Sequence, residues 1–314
     1  MTPELRSSRV HVYAALALVQ LAAASGAVEG KLVMAPRAMG GEGVAPLALT
    51  YARMLGTTIT LSLLVVLGSA RAEAKALPGD RLRVMGLALL GITLNQTFFI
   101  AGLARTSSSN AALLAATIPV ITAALAWLFE RARLRVATWL GFFVSFVGVA
   151  ILVGADRVRE ARGDLGAMLI VANCICFAAY LVLGRELTRR VGSLVVTARC
   201  FAWGSLFAAP FALPALLADV PHWSPRGVLL VAYMVLVPTT LTYFLNAWAL
   251  MRTAASTVTA GIYAQPVLAA LLAWLQLGVA PERRFFAAMP FLFLGLGLVL
   301  WAEGRGADGK ERTR

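Results

Sequence analysis

The chain has 314 residues, of which 60% are hydrophobic and 14% are charged, and its mean hydropathy is +0.80. This leaves too little polar surface to cover a soluble globule of this size, so lipid must supply part of the solvent. The net charge of +13 does not indicate a nucleic-acid partner, because the basic residues are scattered between apolar runs and form no patch with interleaved aromatic residues. Composition therefore predicts an integral membrane protein.

Apolar segments long enough to cross a bilayer follow one another along the whole chain. A helix needs about 20 mostly apolar residues to cross the hydrocarbon core, which is about 30 Å thick. The segments that meet this rule are residues 10–33, 44–67, 82–103, 107–129, 136–155, 164–184, 193–217, 226–250, 254–277 and 284–302. We therefore predict an all-α integral membrane fold of ten transmembrane helices, followed by a charged cytoplasmic tail at 303–314.

The first segment has a second interpretation. Arg6 and Arg9 precede an apolar run that reaches the small residues AAASGA at 22–27, which resembles a signal-peptidase site. We favour a retained helix, because the apolar pattern continues through Val33. Removing it would also leave the first half of the chain one helix short of the second.

Two stretches of the chain are copies of each other. RTSSSNAALLAATIPVITAALAWL at 105–128 and RTAASTVTAGIYAQPVLAALLAWL at 252–275 lie 147 positions apart (252 − 105) and share 10 of 24 residues. Matches of Arg, Pro and Trp are informative, because such residues rarely coincide by chance in apolar segments. The chain is therefore predicted to hold two five-helix repeats, at 10–155 and 164–302.

The orientation follows from the Lys and Arg residues outside the predicted spans. Seventeen lie on the side that holds both termini and nine on the other side, so both termini are predicted to face the cytoplasm. Because each repeat has an odd number of helices, the second begins on the opposite side and the repeats are inverted. Inverted repeats are a recurring plan of secondary transporters, in which one half rocks against the other around a midplane site. The alternative, a scaffold without transport, does not explain the polar groups inside the spans.

The doubled motifs resemble those of the EamA-type transporters of the drug/metabolite transporter superfamily. The pattern has an Arg early in the second helix of each half, an Arg-Thr motif that opens the fourth helix, a Pro in mid-helix and a Glu-Arg pair after it. The matching residues are Arg53 and Arg199, Arg105-Thr106 and Arg252-Thr253, Pro119 and Pro266, and Glu130-Arg131 and Glu282-Arg283. The chain departs from the family pattern in two places. The second Glu-Arg pair comes five residues later after its proline than the first pair does, and Glu29-Gly30-Lys31 stands where the family usually carries only the Lys.

The resemblance covers all ten predicted helices and implies a transporter in the cytoplasmic (inner) membrane. It implies export of amino acids or other small metabolites by alternating access, through a cavity lined by helices 1, 3, 4, 6, 8 and 9. The expected partners are a small-molecule substrate and the lipid bilayer. An organic-cation or drug exporter, and a membrane protein that binds without transport, remain alternatives.

Charged residues within the spans are candidates for function, since each costs roughly 2.5 to 3.5 kcal/mol to insert. The Arg53 guanidinium can bind a substrate carboxylate through two hydrogen bonds. Alternatively, Arg53 and Arg199 hold helices together, a role that suits their presence in both halves. Glu29 has no counterpart in the second half. It is a candidate proton carrier, ammonium ligand or charge partner of Arg53, or else it lies in a local ion pair near the outer interface.

Uncharged polar groups within the spans need partners where bulk water is absent. Amides and phenols can bind the ammonium and the carboxylate of a zwitterion, whereas the ordinary alternative is hydrogen bonding between helices. The candidate substrate-binding residues are Gln20, Asn95, Gln96, Asn110, Asn173, Tyr180, Tyr243, Asn246, Tyr263 and Gln265.

Two prolines, Pro119 and Pro266, are predicted to kink the fourth and ninth helices, because proline has no N–H to donate within a helix. Enzymatic and metal chemistry are not expected. His11 and His222 lie at opposite edges of the membrane, and the cysteines have no second metal-ligating group near them. We therefore predict no catalytic residues, no metal site and no cofactor.

Overall fold

The computed structural model describes residues 3–67, 78–106, 111, 114–131, 135–153, 165–277 and 283–311. These residues are almost entirely helical, and the described ranges contain no β-strand. The all-helical fold predicted from the sequence is confirmed.

The helices are named here α1 to α10 in chain order. α3 and α8 each contain a π-helical turn, and α9 contains a 3₁₀ turn at Gly261–Ala264. The bounds are α1 Pro3–Met34, α2 Pro46–Leu67, α3 Arg81–Arg105, α4 Ile118–Glu130, α5 Val136–Val153, α6 Leu165–Val191, α7 Ser193–Asp219, α8 Pro225–Leu250, α9 Ala255–Ala260 and Gln265–Leu277, and α10 Arg283–Glu311.

Eight of these helices are long and apolar enough to cross a membrane, while α4 and α5 are apolar but shorter than that criterion requires. Most of the predicted start of the fourth span, at 107–117, lies outside the described residues. At the other end of the chain, the backbone of α10 stays helical to Glu311. The first nine residues of the predicted tail therefore continue the last helix.

Two of the hydrophobic cores divide the helices into groups. The larger core joins mainly α1, α2, α3, α6, α7 and α8 through residues such as Leu61, Leu181 and Phe201. The smaller core joins α4, α5, α9 and α10 around Phe142, Tyr263 and Leu292. At Gly141, α5 meets α10 so closely that a Cβ atom would lie 2.7 Å from the carbonyl oxygen of Gly295. Small residues at such crossings allow the close helix contacts typical of membrane proteins.

The outer surface is apolar, as a lipid-facing surface requires. Trp127 is 64% exposed, Phe143 67% and Leu294 63%. In water, a contiguous surface of this kind would mark an interaction site or an aggregation hazard. Together with the long apolar helices, it places the chain among integral membrane proteins.

The two π-helical turns occupy equivalent positions in the two repeats. They span Leu89–Leu94 in α3 and Leu236–Leu241 in α8, which are 147 positions apart, the same offset as the sequence copies. π-helical turns are rare and occur frequently at functional sites. Each turn packs against a helix of the other repeat. Gly91 contacts Tyr180 of α6, and Pro238 contacts Gly26 of α1.

Candidate functional site

A central polar network joins α3, α6 and α8 beside the first π-helical turn. It consists of Asn95, Gln96, Asn173 and Tyr243, which are all at least nine-tenths buried, together with the carbonyl oxygen of Gly91. Tyr243 is its centre, because its hydroxyl lies 2.6 Å from Oδ1 of Asn95 and 3.0 Å from the Gly91 oxygen. The same hydroxyl accepts a hydrogen bond of 2.9 Å from Nε2 of Gln96.

Asn95 and Asn173 tie α3 to α6 by a reciprocal pair of bonds. Nδ2 of Asn173 donates to the backbone oxygen of Asn95 at 2.9 Å, and Nδ2 of Asn95 donates to that of Asn173 at 3.3 Å. Three aromatic rings surround Tyr243, with centroids of Phe201, Tyr180 and Phe177 at 4.9, 6.0 and 6.2 Å. Five of the sequence-predicted residues, Tyr180 included, therefore lie in one place.

Arg53 lies on the α8 side of this region and is only partly satisfied. Its Nε donates to Oγ1 of Thr239 at 2.8 Å, and its guanidinium lies close enough to the Tyr243 hydroxyl to interact with it electrostatically. Among the described residues, the buried Nη1 of Arg53 and the buried Oε1 of Gln96 have no hydrogen-bond partner. The site thus offers one free donor on a cation and one free amide acceptor.

The threonines of the second π-helical turn were missed by sequence reasoning. Oγ1 of Thr239 and of Thr240 each donate to the carbonyl five residues earlier, on Met234 and Val235. Thr240 also bonds to Thr57 of α2 at 2.9 Å. The available signal was the sequence Pro-Thr-Thr, since hydroxyl side chains often bond to the backbone carbonyls that a proline leaves free.

The two repeat-equivalent arginines have different environments. Arg53 is 5% exposed, whereas Arg199 lies on an exposed face of α7. Their common place in the sequence suggested a shared architectural role. Among the described residues, a side-chain bond between helices is found for Arg53 and none for Arg199. The partner of Arg53, Thr239, is replaced in the other repeat by Ile92 (239 − 147).

The remaining predicted polar residues do not join the central network. Nε2 of Gln265 donates to Oε1 of Gln20 at 2.7 Å and ties α9 to α1. Tyr263 belongs to the smaller core, where its hydroxyl donates to the Phe142 oxygen at 3.3 Å. Asn246 is buried in α8, and Asn110 lies outside the described residues.

Both prolines follow an interruption of the α-helix. Pro119 lies in the first turn of α4, directly after the turn at Ala116 and Thr117, where its missing N–H costs nothing. Pro266 follows the 3₁₀ turn of α9. The regular α-helical pattern is therefore interrupted just before each proline.

Glu29 is half-buried and, among the described residues, has no ion pair. It lies four residues after Ser25 and therefore on the same face of α1, where the Ser25 hydroxyl lies 2.7 Å from that of Tyr233. Lys31 lies about 200° further round the helix, on the face of Gln20. The expected pair of Glu29 with Arg53 is not formed in this structure, because Arg53 points to Thr239.

A basic residue binds the backbone at the equivalent position of each repeat. Nζ of Lys31, near the end of α1, donates to the backbone oxygens of Leu103 at 2.5 Å and Thr106 at 3.1 Å. Arg185 of α6 donates to the backbone oxygen of Thr253 at 3.2 Å and pairs with Glu130 at 3.0 Å. Thr106 and Thr253 are equivalent in the two sequence copies, so the two repeats share this contact.

Within the described part of the chain, no three His, Cys, Asp or Glu side chains lie together in a way that could hold a metal ion. The cysteines Cys174, Cys176 and Cys200 are buried and unbridged.

Comparison with known proteins agrees with this geometry. The model of the EamA-like transporter family matches residues 14–154 and again residues 164–301. An uncharacterized transporter of Archaeoglobus fulgidus is 27% identical over 73% of this chain and 79% of its own length. A protein of Streptantibioticus cattleyicolor named "Probable terminal-alkyne amino-acid exporter" is 26% identical over 77% of this chain and 78% of its own. One crystal structure, 19% identical, covers 95% of this chain and 98% of its own with a TM-score of 0.71, which shows a shared fold.

The two family matches cover nearly the whole chain, so the protein is a multi-pass membrane transporter with a small-molecule substrate. It belongs to the EamA-like transporter family.

Proposed function

We propose that the protein is a secondary transporter that exports amino acids or related zwitterions across the cytoplasmic membrane by alternating access. In this proposal all ten helices cross the membrane as two inverted five-helix repeats, and both termini face the cytoplasm. The observation that carries the substrate class is the pair of unsatisfied buried groups, Arg53 Nη1 and Gln96 Oε1.

Those two groups have the chemistry that a zwitterion requires. A guanidinium N–H donates to a carboxylate, and an amide oxygen accepts from an ammonium group. A buried donor or acceptor without a partner costs about 1 to 3 kcal/mol, and more when it is charged. A substrate that satisfies both groups recovers this cost on binding, and the aromatic rings around Tyr243 are available to an apolar side chain.

The unequal environments of Arg53 and Arg199 support this role. An architectural arginine would be expected to make the same contacts in both repeats, whereas a substrate is itself asymmetric. The name of the Streptantibioticus relative supports an amino-acid substrate. At 26% identity between the two proteins, that name does not specify which amino acid this protein prefers.

The contacts of Lys31 and Arg185 support alternating access. Lys31 holds the end of α3 and Arg185 holds the end of α8, and in the proposed inverted topology these two contacts lie at opposite ends of the molecule. Breaking one set while keeping the other opens the site to one side at a time, as the inverted-repeat mechanism requires.

Exchange of a labelled amino-acid panel in proteoliposomes tests the proposal. The assay compares each transported amino acid with its carboxamide, with and without an imposed pH gradient, for the native chain and Glu29→Gln. Saturable exchange of an amino acid but not of its carboxamide is expected. Accumulation driven by the pH gradient would add proton coupling, and its loss in Glu29→Gln would identify Glu29 as the proton carrier.

Other outcomes would reject the proposal. Flux of organic cations without amino-acid exchange, lost in Glu29→Gln, would identify a cation or drug exporter. Saturable binding without flux of any compound would identify a binding protein that does not transport.

A further inference from the structure

Two arginines, Arg81 and Arg199, lie close to Trp203 on the lipid-facing side of α3 and α7, at the end of the molecule that holds both termini. The guanidinium carbon of Arg81 lies 5.1 Å from the centre of the Trp203 ring. Arg199 is exposed and lies four residues before Trp203, so both side chains share one face of α7. Cys200, the residue after Arg199, lies against the Val84 carbonyl of α3, which places the first turn of α3 beside the third turn of α7.

The charges around this pair are already balanced. Arg83 pairs with Glu186 at 3.1 Å and Arg190 with Asp80 at 2.5 Å. In the part of the chain that the structure describes, no acidic side chain pairs with Arg81 or Arg199. Among the described residues, the two positive charges therefore have no counter-charge on this surface.

The depth of Arg199 in the membrane makes its positive charge costly. It is the seventh residue of α7, so about six rises of 1.5 Å, or roughly 9 Å, separate it from the start of the helix. Arginine at such a depth extends its side chain toward the headgroups, where phosphate is the available anion.

An apolar aromatic stripe continues from the arginines along the same face of α7. The rings of Trp203 and Phe207 lie 5.9 Å apart, and Phe211, four residues further on, is 46% exposed. A ligand of this face therefore meets positive charge near the membrane surface and aromatic rings deeper in the bilayer. That sequence of environments matches an amphiphile with an anionic headgroup.

We propose that this face of α3 and α7, defined by Arg81, Arg199, Trp203, Phe207 and Phe211, binds an anionic phospholipid. The phosphate lies between the two guanidinium groups, and an acyl chain lies along the aromatic stripe. Guanidinium is suited to this role because its planar fork binds phosphate through paired hydrogen bonds. The proposal rests on the membrane location and is independent of the transported substrate.

Native mass spectrometry of the delipidated protein, titrated separately with dioleoylphosphatidylglycerol and dioleoylphosphatidylcholine, tests the site. The native chain is expected to prefer the phosphatidylglycerol. Arg81→Gln and Arg199→Gln should each weaken its binding about fivefold, which corresponds to about 1 kcal/mol for each arginine near an anionic surface. Binding of the phosphatidylcholine should not change. Arg199→Lys should weaken phosphatidylglycerol binding less than Arg199→Gln, because it keeps the charge but loses the paired hydrogen bonds.

The chain provides a matched control in Arg252, whose guanidinium carbon lies 3.9 Å from the Trp248 ring. Its arginine neighbour, Arg185, is already paired with Glu130. Arg252→Gln should keep the full preference for phosphatidylglycerol. Equal binding of the two lipids by the native chain, or an equal loss in Arg252→Gln, would overturn the proposal. Displacement of the phospholipid by millimolar inorganic phosphate would also overturn it, since the acyl contacts would then add nothing.

Discussion

Replacing Tyr243 by Phe removes one oxygen atom from the centre of the polar network and leaves the ring in place. The hydroxyl accepts from Gln96 and donates to Asn95 or to Gly91, at distances of 2.6 to 3.0 Å. Because one hydroxyl proton serves a single acceptor at a time, the change removes two hydrogen bonds. At about 0.6 to 1.7 kcal/mol for each bond within a membrane protein, the native state should lose about 1 to 3 kcal/mol.

Unfolding of the purified protein in mixed micelles by SDS, followed by circular dichroism, measures this loss. Tyr263→Phe is the matched control, since the Tyr263 hydroxyl makes one hydrogen bond of 3.3 Å to a backbone oxygen. That variant should lose less than about 0.6 kcal/mol. Equal destabilisation by the two substitutions, or a greater effect at Tyr263, would refute the view that Tyr243 organises the network.

Three further predictions concern particular contacts. Gly91→Ala should destabilise the protein and impair transport, because the new Cβ would lie 2.2 Å from Tyr180 Cδ2. The control is Gly86→Ala in the same helix, whose Cβ would meet nothing within 4 Å. In the same SDS titration that variant should stabilise the protein by up to about 1 kcal/mol. Arg185→Gln should reduce exchange more than Glu130→Gln, because it loses the bond to the Thr253 oxygen as well as the ion pair. The double variant should be no worse than Arg185→Gln alone, and additive losses in proteoliposomes would contradict this. Glu29→Gln should leave the KM for amino-acid exchange within about twofold, because Glu29 lies on the face of α1 that meets Tyr233 through Ser25, while Arg53 bonds to Thr239; a tenfold increase would contradict that placement.

The helices could be predicted from the sequence because apolar length determines them. Leu165–Val191 illustrates the limit of that rule, since the helix continues beyond the predicted end at residue 184 and includes Arg185, Arg189 and Arg190. Charged residues end an apolar run but do not end a helix, and here Arg185 and Arg190 pair with acidic side chains of other helices.

The site could be predicted only in part. Asn95, Gln96, Asn173 and Tyr243 were singled out because polar groups within a span need partners, and they proved to be partners of one another. Tyr263 satisfied the same criterion but lies in the other core, since a helix that is apolar on all sides does not reveal which face is central. Thr239 was missed because the Pro-Thr-Thr sequence indicates a bond to the backbone of its own helix but not the bond to Arg53, which lies 186 positions away in the chain.

The most direct test of the proposed substrate site compares Arg53→Gln with Arg199→Gln in exchange of an amino acid and of its carboxamide. A hydrogen bond to a charged group contributes about 1.5 to 3 kcal/mol, so Arg53→Gln should raise the KM for the amino acid about 10- to 150-fold. The carboxamide has no carboxylate to bind Arg53, so its exchange should be weak in the native chain and little changed by Arg53→Gln. Arg199→Gln should leave the KM for the amino acid unaltered. Equal effects of the two arginine substitutions on the amino acid, or an unchanged KM in Arg53→Gln, would contradict the account.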